Sequence, residues 1–84
     1  MNYTYILECE DGSYYIGWTN NLGKRFAAHK NGTGAKYTRA DKPVRIAYYE
    51  TYESNREAMQ REVVIKKLTH SEKKALVDTF KAPD

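Results

Sequence analysis

The sequence has one cysteine, Cys9, which excludes an internal disulfide and a thiolate-built zinc site and points to a reducing compartment. No apolar run approaches the ~20 residues that span a bilayer. The amino terminus lacks the basic-then-apolar order of a signal peptide. A cytoplasmic protein with no membrane partner is therefore expected. Pro is found only twice and Gly five times. There is no internal repeat, and nothing resembles a P-loop or a dinucleotide fingerprint. Eighty-four residues make one domain, expected over residues 1–84, with no room for a second core.

Tyrosine and unevenly placed charge are abundant. There are eight tyrosines, and the formal net charge is +3. Residues 1–23 carry a net −3, residues 24–45 a net +6, and residues 46–84 balance. The excess thus sits in one segment holding Lys24, Arg25, Lys30, Lys36, Arg39, Lys42 and Arg45, with Tyr37 among them. Such a cluster suits a polyanion such as nucleic acid. A solvated loop that only aids solubility is the plainer alternative.

The pattern predicts six elements. Tyr3 to Cys9 reads as a strand, Asp11-Gly12 as a hairpin turn, and Ser13 to Trp18 as the returning strand. A two-residue loop would put Tyr5 and Tyr15 on opposite faces; a three-residue loop, Glu10-Asp11-Gly12, would put them on one. Turn chemistry alone does not choose. Thr19-Asn20-Asn21 can cap a helix from about Leu22 to Lys30, with Gly32 past its end. Leu22, Arg25, Phe26 and His29 share its face. Gly23 weakens this helix by about 1 kcal/mol relative to alanine, for which close packing is the expected reason. A glycine-rich polar loop follows over residues 31–43, then a third strand from Val44 to Tyr52. Ser54-Asn55-Arg56-Glu57 opens a helix to about Leu68, and Thr69-His70-Ser71-Glu72 opens a last one ending near Phe80. The expected class is α+β, order β-β-α-β-α-α.

Glu62 is the most informative single residue. It shares a helix face with Ala58 and Ile65, where an unpaired carboxylate costs several kcal/mol. Either it is a rim residue paired with Arg25 or a lysine, or it holds Mg²⁺, which needs only one or two protein carboxylates. Arg25 suits a bidentate phosphate clamp or, more plainly, a side chain lying along the helix edge. His29 suits proton transfer or a phosphate contact, although lone helical histidines usually do neither. His70 reads as a linker residue. A tyrosine acting as base needs its pKa lowered from about 10, which Arg25 and a metal would do.

These residues resemble the GIY-YIG nucleases over essentially the whole chain, and most of all the small standalone bacterial members. Tyr3-Thr4-Tyr5 occupies the first motif and Tyr15-Ile16-Gly17 is the second. Thr19, Asn21, Leu22, Arg25 and His29 follow the family spacing, Glu62 falls at the place of its metal-binding glutamate, and residues 34–39 (GAKYTR) match as well. The first motif departs by Tyr3 and Thr4 where glycine and isoleucine are usual, and Trp18 replaces a polar residue of some relatives.

The resemblance implies a three-stranded antiparallel sheet flanked by helices. It also implies a magnesium- or manganese-dependent endonuclease, a hydrolase that cleaves or nicks DNA, including repair intermediates and branched structures. Tyr5, Tyr15, Arg25 and His29 are then catalytic and Glu62 the metal ligand. Lys24, Lys30, Lys36, Tyr37, Arg39 and Lys42 are expected to contact nucleic acid, DNA first with RNA left open. Family enzymes usually carry a separate targeting domain, so weak activity, or a protein partner or dimer for targeting, is expected. A non-catalytic nucleic-acid-binding protein is the alternative. The shared site also requires Tyr5 and Tyr15 on one face, which turns the three-residue hairpin loop into a prediction.

Overall fold

The computed structural model describes residues 1–32 and 42–80. Strands β1 (Asn2–Cys9) and β2 (Tyr14–Thr19) precede helix α1 (Leu22–Lys30). Strand β3 (Pro43–Tyr52) precedes helices α2 (Asn55–Lys66) and α3 (His70–Thr79). The sheet is antiparallel throughout, in the order β2-β1-β3. The expected β-β-α-β-α-α order and fold class hold, with element ends within two residues of expectation.

Central strand β1 is covered on both sides, which explains why Thr4, Tyr5, Ile6 and Leu7 are all buried rather than alternating. Thr4 and Ile6 face α2, where the Thr4 hydroxyl donates to the Ala58 carbonyl at 2.7 Å. Ile6, Ile16, Ala47, Ile65 and Val77 form the core on this side, with Tyr14, Tyr48, Leu68 and Leu76 packed around it. Tyr5 points the other way, toward His29 of α1.

The hairpin settles the register. Tyr5 pairs with Gly17 and Leu7 with Tyr15. The Cys9 amide donates to the Ser13 carbonyl and the Gly12 amide to the Cys9 carbonyl, both at 2.9 Å. The loop is therefore Glu10-Asp11-Gly12. Gly12 takes φ +84°, a left-handed conformation that glycine adopts without steric cost. Because side chains alternate, Tyr5, Leu7, Tyr15 and Gly17 share one face.

Capping follows the sequence. The Asn21 side chain accepts from the Lys24 amide at 3.1 Å, and Gly32, at φ +77°, donates to the His29 carbonyl past the end of α1. Thr69 and Glu72 form a complete capping box on α3. Gly23 is a correction: it is exposed, and a Cβ built there meets nothing within 4 Å among the described residues. Close packing does not explain it, and the fold offers no other reason.

One cluster fixes α2 against the sheet. Tyr48, Glu50 and Tyr52 alternate along β3, and both tyrosine hydroxyls donate to the Glu50 carboxylate. Arg61 of α2 grips it with Nε at 2.9 Å and Nη2 at 3.1 Å. Burial pushes the Glu50 carboxyl up, but the hydrogen bonds from Arg61, Tyr48 and Tyr52 and the charge of Arg61 outweigh it, so its pKa is lowered. Its stabilising contribution is complete above the ordinary glutamate value of about 4.3 and is lost as pH falls through the depressed folded value. Glu50→Gln is expected to cost about 1–3 kcal/mol at pH 7, and much less near pH 3. Urea unfolding of both proteins at the two pH values checks this.

Candidate active site

Four elements, β1, β2, α1 and α2, contribute to the site, and Gly17 makes their convergence possible. The Tyr5 ring, only 1 % exposed, lies across β2 over Gly17. A Cβ at Gly17 would sit 2.4 Å from the Tyr5 hydroxyl oxygen and 2.7 Å from Cζ. No real side chain tolerates that, so Gly17 serves as the floor on which the phenol rests.

The Tyr5 hydroxyl lies 3.0 Å from Nε2 of His29, which is itself fully buried. Tyr15, two residues before Gly17 on the same face, packs its ring 4.8 Å from that of His29 and 6.5 Å from that of Tyr5. Arg25 lies one helical turn before His29, and its guanidinium reaches the Tyr5 and Tyr15 hydroxyls. Hydrogen bonding to Tyr5 is the largest of the effects that raise the pKa of Arg25 and keep it cationic. The α1 spacing that put Arg25 and His29 on one face thus delivers both to the tyrosines.

Burial pushes the Tyr5 phenol up to about 12. The hydrogen bond and charge of Arg25 pull it down, while the anionic forms of Tyr15 and Glu62 push it up further. Desolvation outweighs the pull of Arg25, so Arg25 alone does not give the lowering expected of Arg25 and a metal together, and in the metal-free protein Tyr5 keeps its proton at neutral pH. His29 is shifted the other way. Burial first, then the charge of Arg25, lower its pKa, so the ring is neutral at pH 7. A protonated phenol thus faces a neutral imidazole.

Glu62 projects from α2 near enough for its charge to act on Tyr5. Its side chain is 20 % exposed, and Oε2 lies 3.5 Å from Nζ of Lys66, one turn on. The lysine partner of the plainer reading is therefore present. Among the described residues, no three of His, Cys, Asp and Glu gather into a metal-binding group. A single, partly exposed carboxylate beside phenols fits a hard cation that keeps most of its water, as magnesium does. It does not fit a zinc or thiolate centre.

Thr19, Asn20, Asn21, Lys24, Arg25 and Ala28 line a polar cleft of about 250 Å³ at the amino end of α1. Lys24 is the one expected nucleic-acid contact found there. Lys30 lies over the Phe26 ring at 5.6 Å, and Lys42 is exposed. Lys36, Tyr37 and Arg39 lie outside the described residues, as does the matched segment 34–39. Sequence reasoning missed His70, whose ring stacks on Tyr14 at 4.7 Å and whose Nε2 lies 3.2 Å from the Gly12 carbonyl. It also missed Lys66, whose i,i+4 spacing from Glu62 was the available signal.

The fold is that of a GIY-YIG domain. The family model described as the GIY-YIG catalytic domain matches residues 1–75, and the chain belongs to that family. Within it, the chain is similar to small UPF0213 proteins. One from Clostridium perfringens is 57 % identical over 79 residues, 94 % of this chain and 85 % of the relative. One from Halobacterium salinarum is 46 % identical over 76 residues, 90 % of this chain and 99 % of the relative. The solution structure of a UPF0213 protein from Bacillus halodurans is 43 % identical with a TM-score of 0.60, covering 99 % of this chain and 89 % of that one. A second solution structure, from E. faecalis, is 36 % identical with a TM-score of 0.61, covering 99 % and 91 %.

Proposed function

We propose that this protein is a divalent-metal-dependent endonuclease that hydrolyses phosphodiester bonds in DNA, acting as one domain in the cytoplasm. The observation that carries the reading is the Tyr5 hydroxyl held between buried, neutral His29 and cationic Arg25, with the Glu62 carboxylate nearby. A domain built only to bind a polyanion has no use for a carboxylate beside buried phenols.

Arg25, between the polar cleft and the tyrosines, holds the scissile phosphate and offsets the charge that develops on it. Lys24 adds positive charge to the same cleft. Tyr5, with its high pKa, is a poor base alone but a good relay. Its oxygen faces Arg25, its proton goes to Nε2 of His29, and it takes the proton of the attacking water in exchange. His29 must therefore carry its own proton on Nδ1. Tyr15, packed beside both Tyr5 and His29, orients the same water. Glu62 is the residue to hold Mg²⁺ or Mn²⁺, which would supply Lewis-acid stabilisation of the phosphate and a water of lowered pKa.

The test is strand scission of end-labelled flap, branched and duplex DNA by the wild-type protein. Scission that starts with Mg²⁺ and stops with EDTA is expected. DNA binding that weakens steeply with salt, without scission under any divalent metal, would instead favour a non-catalytic binding protein. A dimer or a targeting partner would bring specificity that one small module lacks.

A further inference from the structure

A second cleft, of about 220 Å³, opens along β2, an edge strand of the sheet, and shares only Tyr15 with the chemistry above. Among the described residues, Tyr14, Tyr15 and Ile16 form its wall and Lys66 and Lys73, from α2 and α3, are its charged lining residues. The Tyr14 ring is held by parallel stacking on His70 at an interplanar angle of 12°. The cleft is smaller than the ~300–1,000 Å³ typical of small-molecule sites. Tyrosines with two lysines beside them, Lys66 paired with Glu62 and Lys73 not in that pair, match a base and its flanking phosphates, and lysines offer no pattern that would select one base. Its place in the molecule adds a second argument. Tyr15 lines this cleft, and its hydroxyl meets Arg25, which lines the polar cleft of α1. The contact between Tyr15 and Arg25 therefore links the two clefts.

We infer that the β2 cleft seats one unpaired nucleotide next to the scissile phosphate, its base against Tyr14, Tyr15 and Ile16 and its phosphates toward Lys66 and Lys73. This inference rests on the nuclease reading and names the substrate that reading leaves open. A fully paired duplex cannot offer a base to the cleft, so cutting should concentrate at junctions between paired and unpaired DNA.

The test is binding by the wild-type protein in EDTA. The probes are a hairpin duplex with a short single-stranded overhang, the same hairpin without it, and an overhang whose first nucleotide is abasic. The overhang should bind about ten-fold tighter than the blunt hairpin, the order expected of one stacked base. The abasic site should remove most of that gain. Lys73→Gln should reduce it to about two-fold, with blunt-hairpin affinity and thermal midpoint unchanged. A 2-aminopurine at the first unpaired position should change its fluorescence on binding only where the gain is present. Equal affinity for base-bearing and abasic overhangs, or equal weakening of all probes by Lys73→Gln, would overturn the inference. Scission by wild type, read separately with Mg²⁺, distinguishes the two failures. Cutting without base preference removes the subsite alone, and base preference without cutting removes the nuclease reading alone.

Discussion

Glu62→Ala should reduce metal-dependent strand scission by about a thousand-fold while leaving DNA affinity equal to or tighter than wild type. The size of the loss follows from removing the carboxylate that, among the described residues, is placed to hold a cation near Tyr5, and with it the stabilisation of phosphoryl charge. The direction of the affinity change follows from charge, because deleting an anion near the phosphate site also releases Lys66 from its ion pair. Folding should survive, since Glu62 is at the rim and an i,i+4 pair of this kind contributes only about 0.3–0.5 kcal/mol. Gel-resolved cleavage, fluorescence anisotropy for DNA and a thermal melt measure the three quantities. Equal cleavage by both proteins would mean that Glu62 is only the surface partner of Lys66.

Gly17→Ala should be nearly as damaging to activity and worse for stability. The new Cβ meets the rim of a buried ring, not the end of a flexible chain, because the phenol is hemmed in by His29 and the sheet. Overpacking of this sort costs about 1–3 kcal/mol. The Tyr5 hydroxyl must also leave its place between His29 and Arg25, so cleavage should fall by at least about 100-fold, the usual contribution of a positioned proton-transfer group. Adding Tyr5→Phe removes the closest contact but leaves Cζ 2.7 Å from the added carbon. The double variant should therefore regain part of the lost stability and no activity. Additive losses of stability would show that the two residues do not meet as described.

What the sequence made legible is what local chemistry controls. Asn21, Ser54 and Thr69 cap the helices they were expected to cap, and the α1 periodicity brings Arg25 and His29 to the tyrosines together. Turn chemistry did not decide the hairpin register, because Asp11-Gly12 suits loops of two or three residues. Only the need to put Tyr5 and Tyr15 on one face decided it in advance. The upward push of burial on Tyr5 was hidden for a different reason: desolvation depends on how deeply the ring is buried by α1 and β2, which no residue list reveals. The Glu50–Arg61 cluster and the His70–Tyr14 stack stayed hidden likewise, since their partners lie 11 and 56 residues apart with no periodic signature. Gly17 was recognised as part of a motif, but its reason, the phenol resting on it, is tertiary.

The most direct measurement of the central claim compares wild type with Tyr5→Phe in Mg²⁺-started scission of an end-labelled flap DNA. The site described here predicts defined cleavage products from wild type and a rate at least about 100-fold lower from Tyr5→Phe, with DNA binding retained by both. Cleavage at the same rate by the two proteins would contradict it.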